Sequence, residues 1–145
     1  MFFDTVRTEI SQGDVFEDIE FVRGTRGDGV LLSHDCEYDK PSVEHVLVAR
    51  VFSRDVVPSG SWGPIAAGQA YNAIYLPPVA GRLESWVDLR YIYRVPKVNL
   101  VEADAGGRRV ASMSDSGRDA LITYLFRFFT RRLPEDSSDS EASGA

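Results

Sequence analysis

The chain has 145 residues, 43% hydrophobic and 11% aromatic, the ordinary size for one globular domain with a real core and too short for two. Its formal charge is −6; the segment after Pro134 supplies four of those negatives (Glu135, Asp136, Asp139, Glu141) and no cation, which leaves the body at −2 and excludes a strongly basic nucleic-acid footprint. A single cysteine excludes an internal disulfide and fits a reducing, cytoplasmic setting.

Apolar runs such as Val46–Val48 and Ala73–Leu76 fall far short of the ~20 residues of a membrane-spanning helix, so no membrane partner is expected. Met1-Phe2-Phe3-Asp4 lacks the pattern of a signal peptide.

In chain order, Met1 to Ser11 mixes Phe2, Phe3, Val6 and Ile10 with charges and is compatible with a short strand or a helical turn. Gln12-Gly13-Asp14 is turn chemistry. Val15 to Val22, β-branched and aromatic, predicts a strand, and the glycine-rich Arg23 to Gly29 a mobile, hairpin-like loop. Val30-Leu31-Leu32 reads as a strand buried on both faces. His45 to Phe52 is the strongest strand pattern. Pro58 to Gln69 predicts a long loop that Trp62 pins to the body, and Ala73 to Leu76 a strand stopped by Pro77-Pro78.

Glu84 to Val95 alternates, with Val87, Leu89, Tyr91, Tyr93 and Val95 as the expected core face. Asp104-Ala105-Gly106-Gly107 predicts a hairpin turn between Val98–Val101 and Arg108–Ala111. Ser114 is the expected N-cap of a helix over about 115–132, with Leu121, Leu125, Phe128 and Phe129 on one stripe. Residues 134–145 read as a disordered acidic tail. The expected architecture is mainly β: an SH3-like barrel or a strongly bent antiparallel sheet, with one C-terminal helix, in a single domain over 1–133.

Chemistry concentrates in Ser33-His34-Asp35-Cys36-Glu37. A cysteine nucleophile needs a base close in space, oriented by a third group. Strand alternation would put Ser33 and Asp35 on one face and His34 and Cys36 on the other, with His45 able to return beside His34 or Cys36. The structural alternative is a buried cysteine at a strand end, with Asp35 making local turn bonds. His34, Cys36, His45 and a carboxylate are also potential metal ligands, but zinc sites use paired ligands at short spacing and only one such pair exists, so no metal is expected. No cofactor is expected either. Asp35, Glu37 and His45 are candidate binding residues, as are Arg50, Trp62, Trp86 and Arg90, because arginines interleaved with aromatic rings can stack on unpaired bases; packing within the sheet is the alternative use of such residues.

The series Gln12-Gly13-Asp14-Val15-Phe16, Val30-Leu31-Leu32-Ser33, Trp86-Val87-Asp88-Leu89, Val95-Pro96-Lys97-Val98-Asn99-Leu100 and Ser112-Met113-Ser114-Asp115, then a helix, resembles the PemK/MazF family of bacterial toxins over most of residues 11–133. The chain is also similar to small bacterial and phage proteins with a Ser-x-x-Cys-Asp-like segment. The first resemblance implies an SH3-like barrel, commonly a homodimer, that cleaves single-stranded RNA and is restrained by an antitoxin peptide. Ser33 matches the family's catalytic Ser or Thr. The family's catalytic Arg precedes a Pro leading into this strand; Asp28-Gly29 stands there instead, and Arg26 lies slightly upstream.

The reading that follows is a small, non-catalytic binding or regulatory module of bacterial or phage origin, with Ser33–Glu37 as its site and a protein or antitoxin-like peptide as partner. Its rivals are an endoribonuclease acting on single-stranded RNA through Ser33 and Arg26, and a hydrolase or redox sensor centred on Cys36 and His34.

Overall fold

The computed structural model describes residues 1–57 and 60–130. Seven strands form one antiparallel sheet: β1 (Phe3–Asp4), β2 (Val15–Val22), β3 (Thr25–Leu31), β4 (His45–Ser53), β5 (Ala73–Leu76), β6 (Ser85–Pro96) and β7 (Arg109–Met113). Their spatial order is β1-β7-β2-β3-β4-β6-β5. The end strands β1 and β5 do not pair, so the sheet is open, and a closed barrel is not what forms. Register shifts in β2 and between β4 and β6 mark the irregularities at which such strands bend.

Four helices accompany the sheet: α1 (Asp35–Tyr38), α2 (Trp62–Ala66), α3 (Lys97–Ala105) and α4 (Asp115–Thr130). On one face Val15, Val30, Ala49, Val51, Val87 and Leu89 pack under Leu121 of α4, joined by Tyr124, Leu125 and Phe128. On the other, Phe16, Phe21, Leu31, Val48 and Val95 pack under Leu100 and Ala103 of α3. A smaller cluster joins Ile65 of α2 to Ala73 and Trp86. Both faces are therefore covered, which explains the continuous apolar run at Val30–Leu32.

The expected long loop over 58–69 holds the helix α2, and three expectations about strands also need correction. Arg23–Gly29 is not a loop: only Arg23-Gly24 turns, with Gly24 at φ +83°, and β3 starts at Thr25. The glycines that suggested mobility are there for space. A Cβ on Gly29 would stand 2.6 Å from Val48 Cγ1, and one on Gly27 2.9 Å from Arg50 Nη2. Second, Val98–Val101 is helical, so the expected hairpin does not form. Leu100 and Ala103, three apart, are the buried residues of α3, while Val98 and Val101 face solvent; Pro96 is the N-cap and Gly106 the C-cap.

Third, β6 does not alternate throughout. Ala49 pairs with Ile92 but Arg50 with Asp88, so residues 89–91 form a bulge that resets the facing. Val87 and Leu89 face α4, so Trp86 and Asp88 lie on the other face, where Trp86 is buried against Ile65 of α2, and Tyr91, in the bulge, is exposed.

The helix begins as expected: Ser114 Oγ accepts from Gly117 N at 3.1 Å. Phe129, however, is 62% exposed and leaves the predicted buried stripe. Residues 131–145, including the predicted acidic tail, lie outside the described residues. The segment left open at the N-terminus supplies β1, held beside α4 by Ser114 N donating to Phe2 O at 2.9 Å.

Gly117 sits where this contact is tightest: an added Cβ would meet Phe2 O at 2.2 Å. In an exposed helix, Gly→Ala gains up to about 1 kcal/mol. Here Gly117→Ala is expected to reverse the sign and cost about 1–3 kcal/mol in urea unfolding, as overpacking does.

Candidate functional site

The Ser33–Glu37 stretch folds against the Gln12-Gly13-Asp14 turn. Gly13, at φ +89°, donates to Leu31 O at 2.8 Å, and Leu31 N donates to Asp14 O at 3.0 Å. Gln12 donates its side-chain amide to Leu32 O at 2.8 Å and its backbone N–H to Asp35 Oδ1 at 2.7 Å. Two motifs that are separate in sequence thus form one latch at the end of β3.

The polar groups of this stretch are spent on the main chain. Ser33 Oγ accepts from Leu47 N at 2.9 Å, tying the latch to β4. His34 is the N-cap of α1, and its Nδ1 accepts from Cys36 N at 3.1 Å. Because the chain turns helical at Asp35, strand alternation does not govern this cluster. Glu37 pairs with Lys40 at the surface. Cys36 is exposed, and among the described residues its thiol makes no hydrogen bond.

Asp35 Oδ2 also receives Arg118 Nη1 from α4 at 3.4 Å, and Arg118 Nη2 reaches Asp115 at 3.0 Å. Gln12, His34, Asp115, Arg118, Asp119 and Ile122 line a cleft of about 230 Å³ here. Arg118 and Asp115 were not legible as site residues, because nothing in the sequence says which part of the helix meets the latch. Gln12 carried a signal, its place in the quoted motif.

The predicted residues do not all converge. His45 pairs with Pro96 and lines a different cleft, with Pro41, Val43 and Lys97. Arg26 and Ser33 are seven residues apart, about 20 Å along an extended strand. Arg26 Nε is bound to Asp18 Oδ1 at 3.0 Å and its Nη2 to Asp18 O at 2.7 Å. Ser33 and Arg26 therefore share no site. Among the described residues, no three His, Cys, Asp or Glu side chains gather as metal ligands would.

The arginine and aromatic candidates lie further along β4 and β6. Trp86 is buried 5.3 Å from Phe52, its indole N–H without an acceptor. Trp62 meets Tyr75 edge-on under the Arg54 guanidinium. Arg90 grips buried Asp88 with two bonds of 3.0 and 2.9 Å, and both Trp86 and Arg90 line a cleft of about 350 Å³. Arg50 lies over the Phe21 and Phe52 rings, at 5.4 and 4.9 Å.

One residue pair beside the latch escaped sequence reasoning. Arg109, 4% exposed, donates to Asp14 Oδ2 at 2.9 Å, and Asp14 is fully buried. Burial pushes the Asp14 carboxyl above its ordinary 3.8, against the Ser11 N–H and Arg109, which favour the carboxylate.

The chain matches no known protein-family model and no curated protein. Among the described residues no helix is long and apolar enough to cross a membrane.

Asp14→Asn removes one of the two carboxylates that Arg109 holds, Asp104 being the other, and is expected to cost about 1–3 kcal/mol in chemical denaturation. Asp115 supplies a pH test. The hydrogen bond from Arg118, with the charges of Arg118 and Arg7, holds its carboxyl below 3.8. A lowered folded-state pKa stabilises above 3.8 and is lost as pH falls through the folded value. Asp115→Asn should therefore flatten the decline of Tm below that pH in thermal melts.

Proposed function

We propose that the chain is a non-catalytic binding module of the cytoplasm, and that its ligand is an amphipathic helix laid along α4 beside the Gln12–His34–Arg118 cleft. The observation that carries this reading is the outer stripe of α4: Ile122, Phe126 and Phe129 are 48%, 65% and 62% exposed. With Asp115 and Asp119 they run at alternating spacings of four and three, the seam by which one helix packs on another. Contiguous exposed apolar surface of this kind marks interaction sites.

A second α4 laid antiparallel on this seam presents the same three apolar side chains, Ile122, Phe126 and Phe129, so the occupant is a second copy of the chain. The non-catalytic part of the reading rests on Ser33 and His34, whose side chains serve as main-chain acceptors with no base or nucleophile paired to them.

Sedimentation equilibrium at about 100 µM, a hundredfold above a micromolar Kd, is expected to give a dimer that Phe126→Asp converts to a monomer, with a Tm equal to that of wild type diluted well below the Kd. A monomeric wild type would overturn the reading. Mixed single-stranded RNA incubated with the protein should stay intact; cleavage abolished by Ser33→Ala would replace the module with a nuclease.

A further inference from the structure

Arg50 is the one partly buried arginine among the described residues that holds no oxygen atom. Arg82, Arg109 and Arg118, whose side chains are 17%, 4% and 23% exposed, each hold carboxylates. Arg7 bonds Met113 O and pairs with Asp115, Arg108 bonds the carbonyls of Glu17 and Asp18, and Arg127 bonds Gly68 O. Asp88 stands directly across from Arg50 in β6, but Arg90 has already taken both of its oxygens. A guanidinium left this way in a chain of net charge −6 has its donors free for something else.

The surroundings define what that is. Ala49 and Val51 point into the core beneath α4, so Arg50 points to the opposite face of the sheet. There it lies over the rings of Phe21 and Phe52, and Gly27 leaves the room its Nη2 occupies. The Nε is buried without an acceptor, whereas the terminal nitrogens are not shut off from solvent. Tyr91, 45% exposed, meets edge-on the same Phe52 that lies against the arginine.

Two rings lie 5.4 and 4.9 Å from the guanidinium carbon and crowd its flat surface. What it offers is its outer edge, two N–H groups in one plane, the geometry that a carboxylate accepts in bidentate fashion. The aromatic contacts fix that edge in advance and reduce the ordering cost of binding. The acidic body disfavours a polyphosphate chain more than a single carboxylate.

We propose that Arg50 is a carboxylate anchor: a binding site, distinct from the α4 face, for an acidic side chain of a peptide or protein partner. Arginine beside tyrosine, half-desolvated, is also the composition of an interface hot spot.

Fluorescence polarisation with a labelled glycine-serine hexapeptide carrying one glutamate tests this, with a labelled oligouridylate octamer as the second arm. Binding of the peptide should weaken tenfold or more in Arg50→Lys, which keeps the charge and removes the fork, and should be unchanged in Arg94→Lys, an exposed arginine on β6. Titration of the wild-type protein should also move the Arg50 Nη resonances in NMR spectra, a readout that requires no variant. Equal weakening in Arg94→Lys, binding of the octamer alone, or no binding by folded wild-type protein would each overturn the proposal.

Discussion

The buried pair Asp14–Arg109 is the constraint on which the rest of the arrangement depends. Arg109 sits at the start of β7 and spends its guanidinium on four oxygens: Asp104 at the end of α3, Asp14 before β2, and the carbonyls of Glu9 and Thr8. A cation out of water demands such satisfaction, and no position shifted by a residue would supply it. The pair joins the N-terminal segment, α3 and β7, three parts that are distant in sequence. It does so at some cost, since burial keeps the Asp14 carboxyl above its ordinary value even with the arginine beside it.

From that joint the order passes to the candidate site. Asp14 is the last residue of the turn whose Gly13 and Gln12 bond the end of β3, so fixing Asp14 fixes Gln12. Gln12 then orients Asp35, and Asp35 receives Arg118 from α4. The side chains of Gln12, Ser33, His34 and Asp35 each satisfy main-chain groups in a place where the chain leaves a strand, makes a short helix and returns as β4. Residue types that suggest catalysis by composition here do the work of a joint. Such a joint ties the end of β3 to α4 through Asp35 and Arg118.

The sheet's two faces have unequal cover. One face is closed by α4, whose own outer side is the apolar seam. The other is closed by α3 at one end and α2 at the other, and Arg50 lies between the two clusters they cover. The outer side of α4 and Arg50 thus lie on opposite sides of the sheet.

Much of this was legible from local pattern. The strands at Val15–Val22, His45–Ser53 and Ala73–Leu76, the capped helix from Asp115, and the mainly β, antiparallel class with a C-terminal helix follow from side-chain period and capping chemistry, which act within a few residues. What was misread depended on neighbours from elsewhere in the chain. Gly27 and Gly29 look like loop residues until Val48 and Arg50 are placed against them. That Tyr93 and Val95 face away from the cluster of Val87 and Leu89 follows from a bulge that exists only once β6 is in register with β4. Likewise the sequence by itself determined which residues carry polar chemistry, in Gln12–Asp14 and Ser33–Glu37. Only the tertiary structure decided that these meet, that Arg26 and His45 stay away from them, and that Arg50 is left without a carboxylate. The physical reason is the same in each case: hydrogen-bond satisfaction and steric room are properties of pairs, and those pairs form between segments that no local pattern connects.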